Sequence, residues 1–158
     1  MHITNLLSPK TIRVGLQAGS KEDVISRVVD LIAGDGRVTD IEDVRSVVLD
    51  RESTMSTGVG KGLGLPHGKT ASMRNSIAAL AITREPVDFD AFDGQPVRIV
   101  FLLVGPPEAQ AVHIRTLSRI SRLMSRDDVR EAVLAARTAK AVYAVIAKAE
   151  ATLLNDAP

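Results

Sequence analysis

Two apolar runs, IAALAIT at Ile77–Thr83 and VRIVFLLV at Val97–Val104, separated by DFDAFDGQP at residues 88–96, decide the class of fold. Each is of strand length and bracketed by turn residues, and Asp93-Gly94 falls at the expected tip of the turn between them. On either side the period lengthens to that of helices. Upstream, a helix is expected from about Lys21 to Ala33: Ser20 caps it, Glu22 and Asp23 fill its first turn, Gly34 and Gly36 end it, and Val24, Val28 and Leu31 face inward. A second opens at Thr39, where Thr-Asp-Ile-Glu has the spacing of a capping box, and runs to about Arg51 with Ile41, Val44 and Val48 as its buried stripe. Downstream, helices are expected over about 109–125, 127–136 and 139–149, the first starting after Pro106-Pro107. Helices and strands interleave, so the class is α/β or α+β.

Composition narrows the function. At 158 residues, with 45% hydrophobic and 25% charged side chains and no linker or repeat, the chain reads as one domain over 1–158 with its core at about 12–149. Aromatic residues make up 3%, so the core must be built from Val, Ile, Leu, Ala and Met, and a base-stacking nucleic-acid surface is not expected. A formal charge of +1 provides no general field for nucleic acid or acidic lipid. The absence of cysteine excludes disulfides, a thiol nucleophile and Cys-based zinc sites, and agrees with a cytoplasmic location. MHITNLLSPKTIRVG has no apolar signal core, and the longest strongly apolar run, Ile99–Val104, falls far short of the roughly 20 residues a membrane span needs. No direct membrane insertion is expected.

Between the second helix and the first strand lies GVGKGLGLPHG, with Gly58, Gly60, Gly62 and Gly64 in strict alternation before Pro66-His67-Gly68. In an extended loop this spacing strips one face of side chains and lets a ligand or partner approach the main chain. Neither phosphate-loop pattern fits: a Walker loop ending at Gly68-Lys69-Thr70 would need glycine at Leu63, and no register of the glycines completes GxGxxG. What remains is a histidine displayed beside backbone N–H groups that can cradle an anion. Its imidazole, substantially neutral near pH 7, has the chemistry of a nucleophile. The plainer alternative, a turn-rich connection with a structural histidine, stays open at this point. Metal ligation is disfavoured because no second ligand lies at metal spacing from His67.

Two further residues bear on His67. Arg51 follows Ile41, Val44 and Val48 on one helical stripe, which aims its guanidinium inward toward either a phosphoryl group or a carboxylate such as Asp50 or Glu52. His113 shares a face with Leu117, Ile120 and Met124, where a satisfied, partly buried imidazole is the commoner outcome. The stripe Arg115, Arg119, Arg122 and Arg126 on the opposite face reads as solvated, with docking of an acidic partner as the lesser alternative.

Taken in order and spacing, Arg51-Glu52, Ser56-Thr57-Gly58, GVGKGLGLPHGK, VDFDAFDGQPVRIVFLLVGP and HIRTLSRISRLM resemble the IIA components of the bacterial phosphotransferase system, of the fructose, mannitol and nitrogen-regulatory type, over roughly Thr39–Ala149. The resemblance implies an α/β fold with a mixed sheet flanked by helices. It implies a phosphohistidine carrier in which His67 accepts a phosphoryl group on Nε2 from the histidine phosphocarrier protein and passes it to a sugar-specific IIB domain, with Arg51 and His113 stabilising and positioning the group. No cofactor or metal is implied. The alternative is a nitrogen-regulatory protein whose phosphorylation state controls a target protein, a reading slightly favoured by the lack of an attached IIB, IIC or phosphocarrier segment. Two departures stand out: Gly64 where alanine is usual, and Ile114 where leucine often follows the second histidine.

Overall fold

The computed structural model describes residues 2–155. In chain order it contains α1 (Ile3–Leu6), β1 (Ile12–Leu16), α2 (Lys21–Asp30), α3 (Ile41–Thr54), β2 (Gly58–Gly60), β3 (Leu63–Gly64), β4 (His67–Lys69), β5 (Ile77–Val87), β6 (Val97–Gly105), α4 (Gln110–Met124), α5 (Asp127–Ala135) and α6 (Ala139–Asn155). The strands form one mixed sheet in the order β1-β5-β6-β3-β2, with β4 also on β6. β5 and β6 are antiparallel, whereas β1 runs parallel to β5, and β3 and β4 run parallel to β6.

The two expected strands are the centre of this sheet, and each is apolar on both faces. Ala78, Leu80, Ile82, Ile99, Phe101 and Leu103 pack into a layer with α1, α4, α5 and α6. Their neighbours Ile77, Ala79, Ala81, Val100, Leu102 and Val104 pack with α2 and α3 on the opposite side. An unbroken apolar run is what a strand covered on both faces requires. The core is not free of aromatics: Phe89 and Phe101 are among its largest fully buried side chains, while Phe92 is 96% exposed.

The helices differ from expectation mainly at their ends. α2 stops at Asp30 and continues as turns, and its buried residues are Val24, Ile25, Val28 and Val29 rather than a stripe ending at Leu31. α3 is capped by Asp40, whose carboxylate accepts from the Glu42 and Asp43 N–H groups. Thr39 is not the cap; its hydroxyl donates to the Ser72 carbonyl. α6 runs on to Asn155. The expected elements did not include α1 and β1, yet β1 forms the sheet edge and α1 is fastened to α6, its Ile3 and Thr4 N–H groups donating to the buried Glu150 carboxylate.

The glycine segment is not an extended loop open to a ligand. It folds into the sheet as a β2–β3 hairpin whose tip carries three consecutive positive φ values, Gly60 (99°), Lys61 (58°) and Gly62 (77°). The Asp93 carboxylate from the β5–β6 connection accepts the Lys61 N–H at 2.9 Å and holds that turn. The bare glycine faces are filled by the protein itself. A Cβ on Gly64 would sit 2.9 Å from the Phe89 ring, and one on Gly58 would sit 2.8 Å from the Ala91 Cα. Because the second obstacle is backbone, Gly58→Ala should destabilise the fold by about 1 to 3 kcal/mol, as overpacking does. A urea midpoint unchanged from wild type would show that the 88–96 segment can move away freely.

Candidate functional site

β6 positions the site. β3 and β4 run along the same edge of β6 in one continuous register, Leu63 beside Ile99, Gly64 beside Val100 and His67 beside Leu103, interrupted only at Leu65-Pro66. Period-two alternation then separates the faces. Leu63 and Leu65 belong to the layer beneath α4, and His67 and Lys69 continue that face, whereas Gly64 and Gly68 lie against Phe89 and against Val47 and Val48 on the α3 side. After Gly105 the chain turns through Pro106-Pro107 into α4, whose first turn carries His113. The two imidazole rings thereby meet with centroids 5.7 Å apart and planes tilted by 52°.

His67 is half-buried, and its Nδ1 lies 2.7 Å from the Leu65 carbonyl oxygen. A carbonyl oxygen can only accept, so Nδ1 carries a hydrogen and the neutral ring keeps its lone pair on Nε2. Burial pushes the His67 pKa below its usual 6.5, with the Arg51 and Lys69 charges acting the same way, while the Leu65 carbonyl and Glu52 act against them. At neutral pH the ring is therefore uncharged.

His113 is 5% exposed and packs on the same face of α4 as the buried Thr116, Ile120, Leu123 and Met124. Burial, helped by His67 and Lys69, lowers its pKa from 6.5 to about 4. Its Nδ1 is buried without a hydrogen-bond partner. That is an unusual state for a polar atom at the core boundary.

Arg51 does not point into the core. The buried face of α3 is Val44, Val48 and Glu52, at a spacing of four, and Arg51 is half-exposed, donating to the Met55 carbonyl at 3.3 Å. Its charge still reaches His67. Extending the Ile41-Val44-Val48 stripe by three rather than four put the wrong neighbour inside. The inward residue is Glu52, 4% exposed, ion-paired to Lys21 at 2.9 Å and accepting from the Thr57 N–H at 2.9 Å and the Thr57 hydroxyl at 2.5 Å. Glu52 therefore pairs with Lys21 and not with Arg51.

Four of the loop's N–H groups are committed. Those of Thr57, Gly58, Lys61 and Leu65 donate to Glu52, Ser56, Asp93 and Thr57 respectively, so they form no open anion cradle. Lys69 and Lys21 were not singled out in the sequence; Glu52 entered only as a possible partner of Arg51, and Thr57 only within the family resemblance. The strand alternation His67-Gly68-Lys69 would have signalled Lys69 had the segment been read as sheet. Among the described residues no group of three or more His, Asp or Glu is placed to hold a metal ion, and no helix is long and apolar enough to cross a membrane.

A mixed sheet covered by helices on both faces, with a half-buried histidine at its central strand's edge and a second beneath it, defines the class of molecule; comparison with known proteins identifies the family. Residues 5–149 match the model of the phosphoenolpyruvate-dependent sugar phosphotransferase system EIIA 2 family, and the chain belongs to that family. It is 36% identical over 146 residues, 92% of its length, to the fructose-specific EIIABC component of Bacillus subtilis, of which it spans 23%. It is 37% identical over 154 residues, 96% of its length, to a nitrogen regulatory protein of Bradyrhizobium diazoefficiens, of which it spans 99%. The crystal structure of the nitrogen regulatory protein IIA-Ntr from Neisseria meningitidis superimposes with a TM-score of 0.85 at 32% identity, covering 91% of this chain and 98% of that one.

A histidine held neutral in the fold resists protons that the unfolded chain accepts. For His113 nothing is lost above pH 6.5, stability falls as the pH drops from about 6.5 to about 4, and the loss is complete below that. His67 adds a change of the same sign. Urea unfolding should therefore show stability declining across this window, on the order of 2 kcal/mol from His113. His113→Gln should flatten the decline; an unaltered slope would mean that the ring titrates as an exposed histidine does.

Proposed function

We propose that the protein is a covalent phosphoryl carrier: Nε2 of His67 accepts a phosphoryl group from the histidine phosphocarrier protein and yields it to a IIB domain. The observation that carries this reading is the hydrogen bond from Nδ1 to the Leu65 carbonyl, which leaves the outer nitrogen basic and the ring oriented. In the transfer, the His67 Nε2 lone pair forms a bond to phosphorus as the donor's N–P bond breaks and its electron pair returns to the donor imidazole. One N–P bond replaces another, so the reaction needs chiefly in-line positioning and charge stabilisation.

Arg51 and Lys69 supply positive charge at the place where the dianion would sit. His113, its ring centroid 5.7 Å from that of His67, would neighbour the phosphoryl group, and the arriving negative charge would raise its pKa from about 4 and favour the imidazolium. Met55, Val59, Phe92 and Ile114 are large, exposed apolar side chains. Each lies on a segment that adjoins the site: Met55 accepts from Arg51, the Phe92 N–H donates to the Gly58 carbonyl next to Val59, and Ile114 follows His113. Such a rim suits a protein partner that docks and leaves quickly.

A second reading has its own support. The Bradyrhizobium nitrogen regulatory protein is spanned almost completely at 37% identity. On this reading the same phosphohistidine controls a regulatory target protein and no sugar is modified. Labelling with phosphoenolpyruvate, the general PTS phosphotransferase and the phosphocarrier, followed by added IIB domains, separates the two: discharge to IIB supports sugar uptake, and retention of the label supports regulation.

The residues should separate by role. His67→Ala should abolish labelling, whereas Arg51→Ala and His113→Ala should still label but transfer more slowly, by the equivalent of about 2 to 4 kcal/mol for the loss of one preorganised group. Acid-labile, base-stable label lost only in His67→Ala is the expected result. Labelled His67→Ala beside unlabelled His113→Ala would assign the nucleophile to the other ring.

A further inference from the structure

Glu52 is a buried carboxylate that the transfer chemistry above does not use. Removing a carboxylate from water is unfavourable unless it is fully paired, and a buried ion pair is often no more stabilising than an apolar replacement. Stability alone therefore gives weak reason for it. Its surroundings give a stronger one. Glu52 receives three donors: Lys21 Nζ at 2.9 Å, the Thr57 N–H at 2.9 Å and the Thr57 hydroxyl at 2.5 Å. Lys21 is itself held over the Phe89 ring, 5.4 Å from its centroid.

Thr57 leads directly to the nucleophile. Its carbonyl accepts the Leu65 N–H at 3.0 Å, and the Leu65 carbonyl accepts the His67 Nδ1–H at 2.7 Å. A series of hydrogen bonds thus links the Lys21–Glu52 ion pair to the imidazole through the backbones of Thr57 and Leu65; because it crosses the Cα of each, what it transmits is position. Fixing Thr57 fixes the Leu65 N–H that its carbonyl holds, and with it the direction in which the Leu65 carbonyl is presented to His67. We propose that Glu52, acting through Thr57 and the Leu65 carbonyl, is the positioning residue that holds His67 in its Nδ1–H tautomer with Nε2 free. The arrangement does the work of a carboxylate bonded directly to a catalytic histidine, but leaves no anion beside the incoming phosphoryl.

The proposal rests on His67 being the phosphoryl acceptor, yet its primary test needs no phosphoryl. Imidazole nitrogen chemical shifts of 15N-labelled, unphosphorylated protein report the tautomer and the titration of His67. Wild type should show almost only the Nδ1–H form. Glu52→Gln should admit the Nε2–H form and move the His67 titration to lower pH, because an anion that favours the imidazolium has gone. Phosphoryl acceptance should fall about tenfold or more, the usual consequence of losing a group that orients a functional histidine. Thr57→Val, which keeps the N–H but lacks the hydroxyl, should show a smaller change of the same kind, and Thr57→Ser should restore wild-type spectra. If Glu52→Gln does not fold, the Thr57 pair decides alone. Folded variants with wild-type tautomer and titration would reduce Glu52 to a fastening between α3 and β2. Failure of the carrier reading itself would appear separately, as labelling that survives His67→Ala.

Discussion

Strand β6 is hydrogen-bonded along both edges, and the candidate site is referred to it. One edge holds β5 antiparallel; the other holds β3 and β4 parallel in a single register. Its alternate side chains reach two separate apolar layers, so a slip by one residue would turn Phe101 and Leu103 out of one and Val100 and Leu102 out of the other. The register is fixed on both sides by burial. His67 inherits that certainty by pairing beside Leu103, and His113 inherits it through the turn that follows Gly105. Two side chains 46 positions apart in sequence thus come to 5.7 Å without either being in a loop of its own choosing.

The centre of the fold was legible because its signal is local. Residues 77–83 and 97–104 are apolar but for Thr83 and Arg98, short, and bracketed by turn residues, which leaves a strand as the reading. The edges were not legible. β1, with the sequence IRVGL, has only its terminal residues buried and carries neither alternation nor an apolar run strong enough to mark it. α1 is one turn long and owes its position to Glu150, whose carboxylate comes from nearly the other end of the chain. The glycine alternation misled for a related reason. A period of two reads as one open strand face, but positive φ at Gly60, Lys61 and Gly62 folds it into a hairpin, and Phe89, Ala91 and Val47 occupy the spaces the glycines leave.

At the candidate site, the sequence named two histidines that the fold brings together and an arginine whose charge reaches His67, but it did not reveal the orientation of α3 around them. A stripe built on spacings of three and four accommodates either residue 51 or residue 52 as its next member, and the choice between them reverses the sign of the buried charge. Only Lys21, a whole helix away in sequence, settles it by offering Glu52 a partner. Local periodicity gives a helix its axis and a broad face; a tertiary ion pair decides its final rotation.

That rotation has an electrostatic consequence. Arg51 and Glu52 are adjacent in sequence and act on His67 in opposite directions: the guanidinium lowers its pKa and the carboxylate raises it. Burial, Arg51 and Lys69 keep the resting ring uncharged, and in the proposed carrier the same two cations meet the phosphoryl dianion without rearrangement. One set of charges then serves both states, disfavouring a proton and favouring a phosphate. A carboxylate at the surface of this site would oppose the second task, since it would repel the dianion. Buried behind Thr57 and neutralised by Lys21, Glu52 keeps its orienting hydrogen bonds while most of its field is cancelled locally. The inward turn of residue 52 and the outward turn of residue 51 are thus a single solution to two demands: a histidine held in one tautomer, and a surface that attracts an anion.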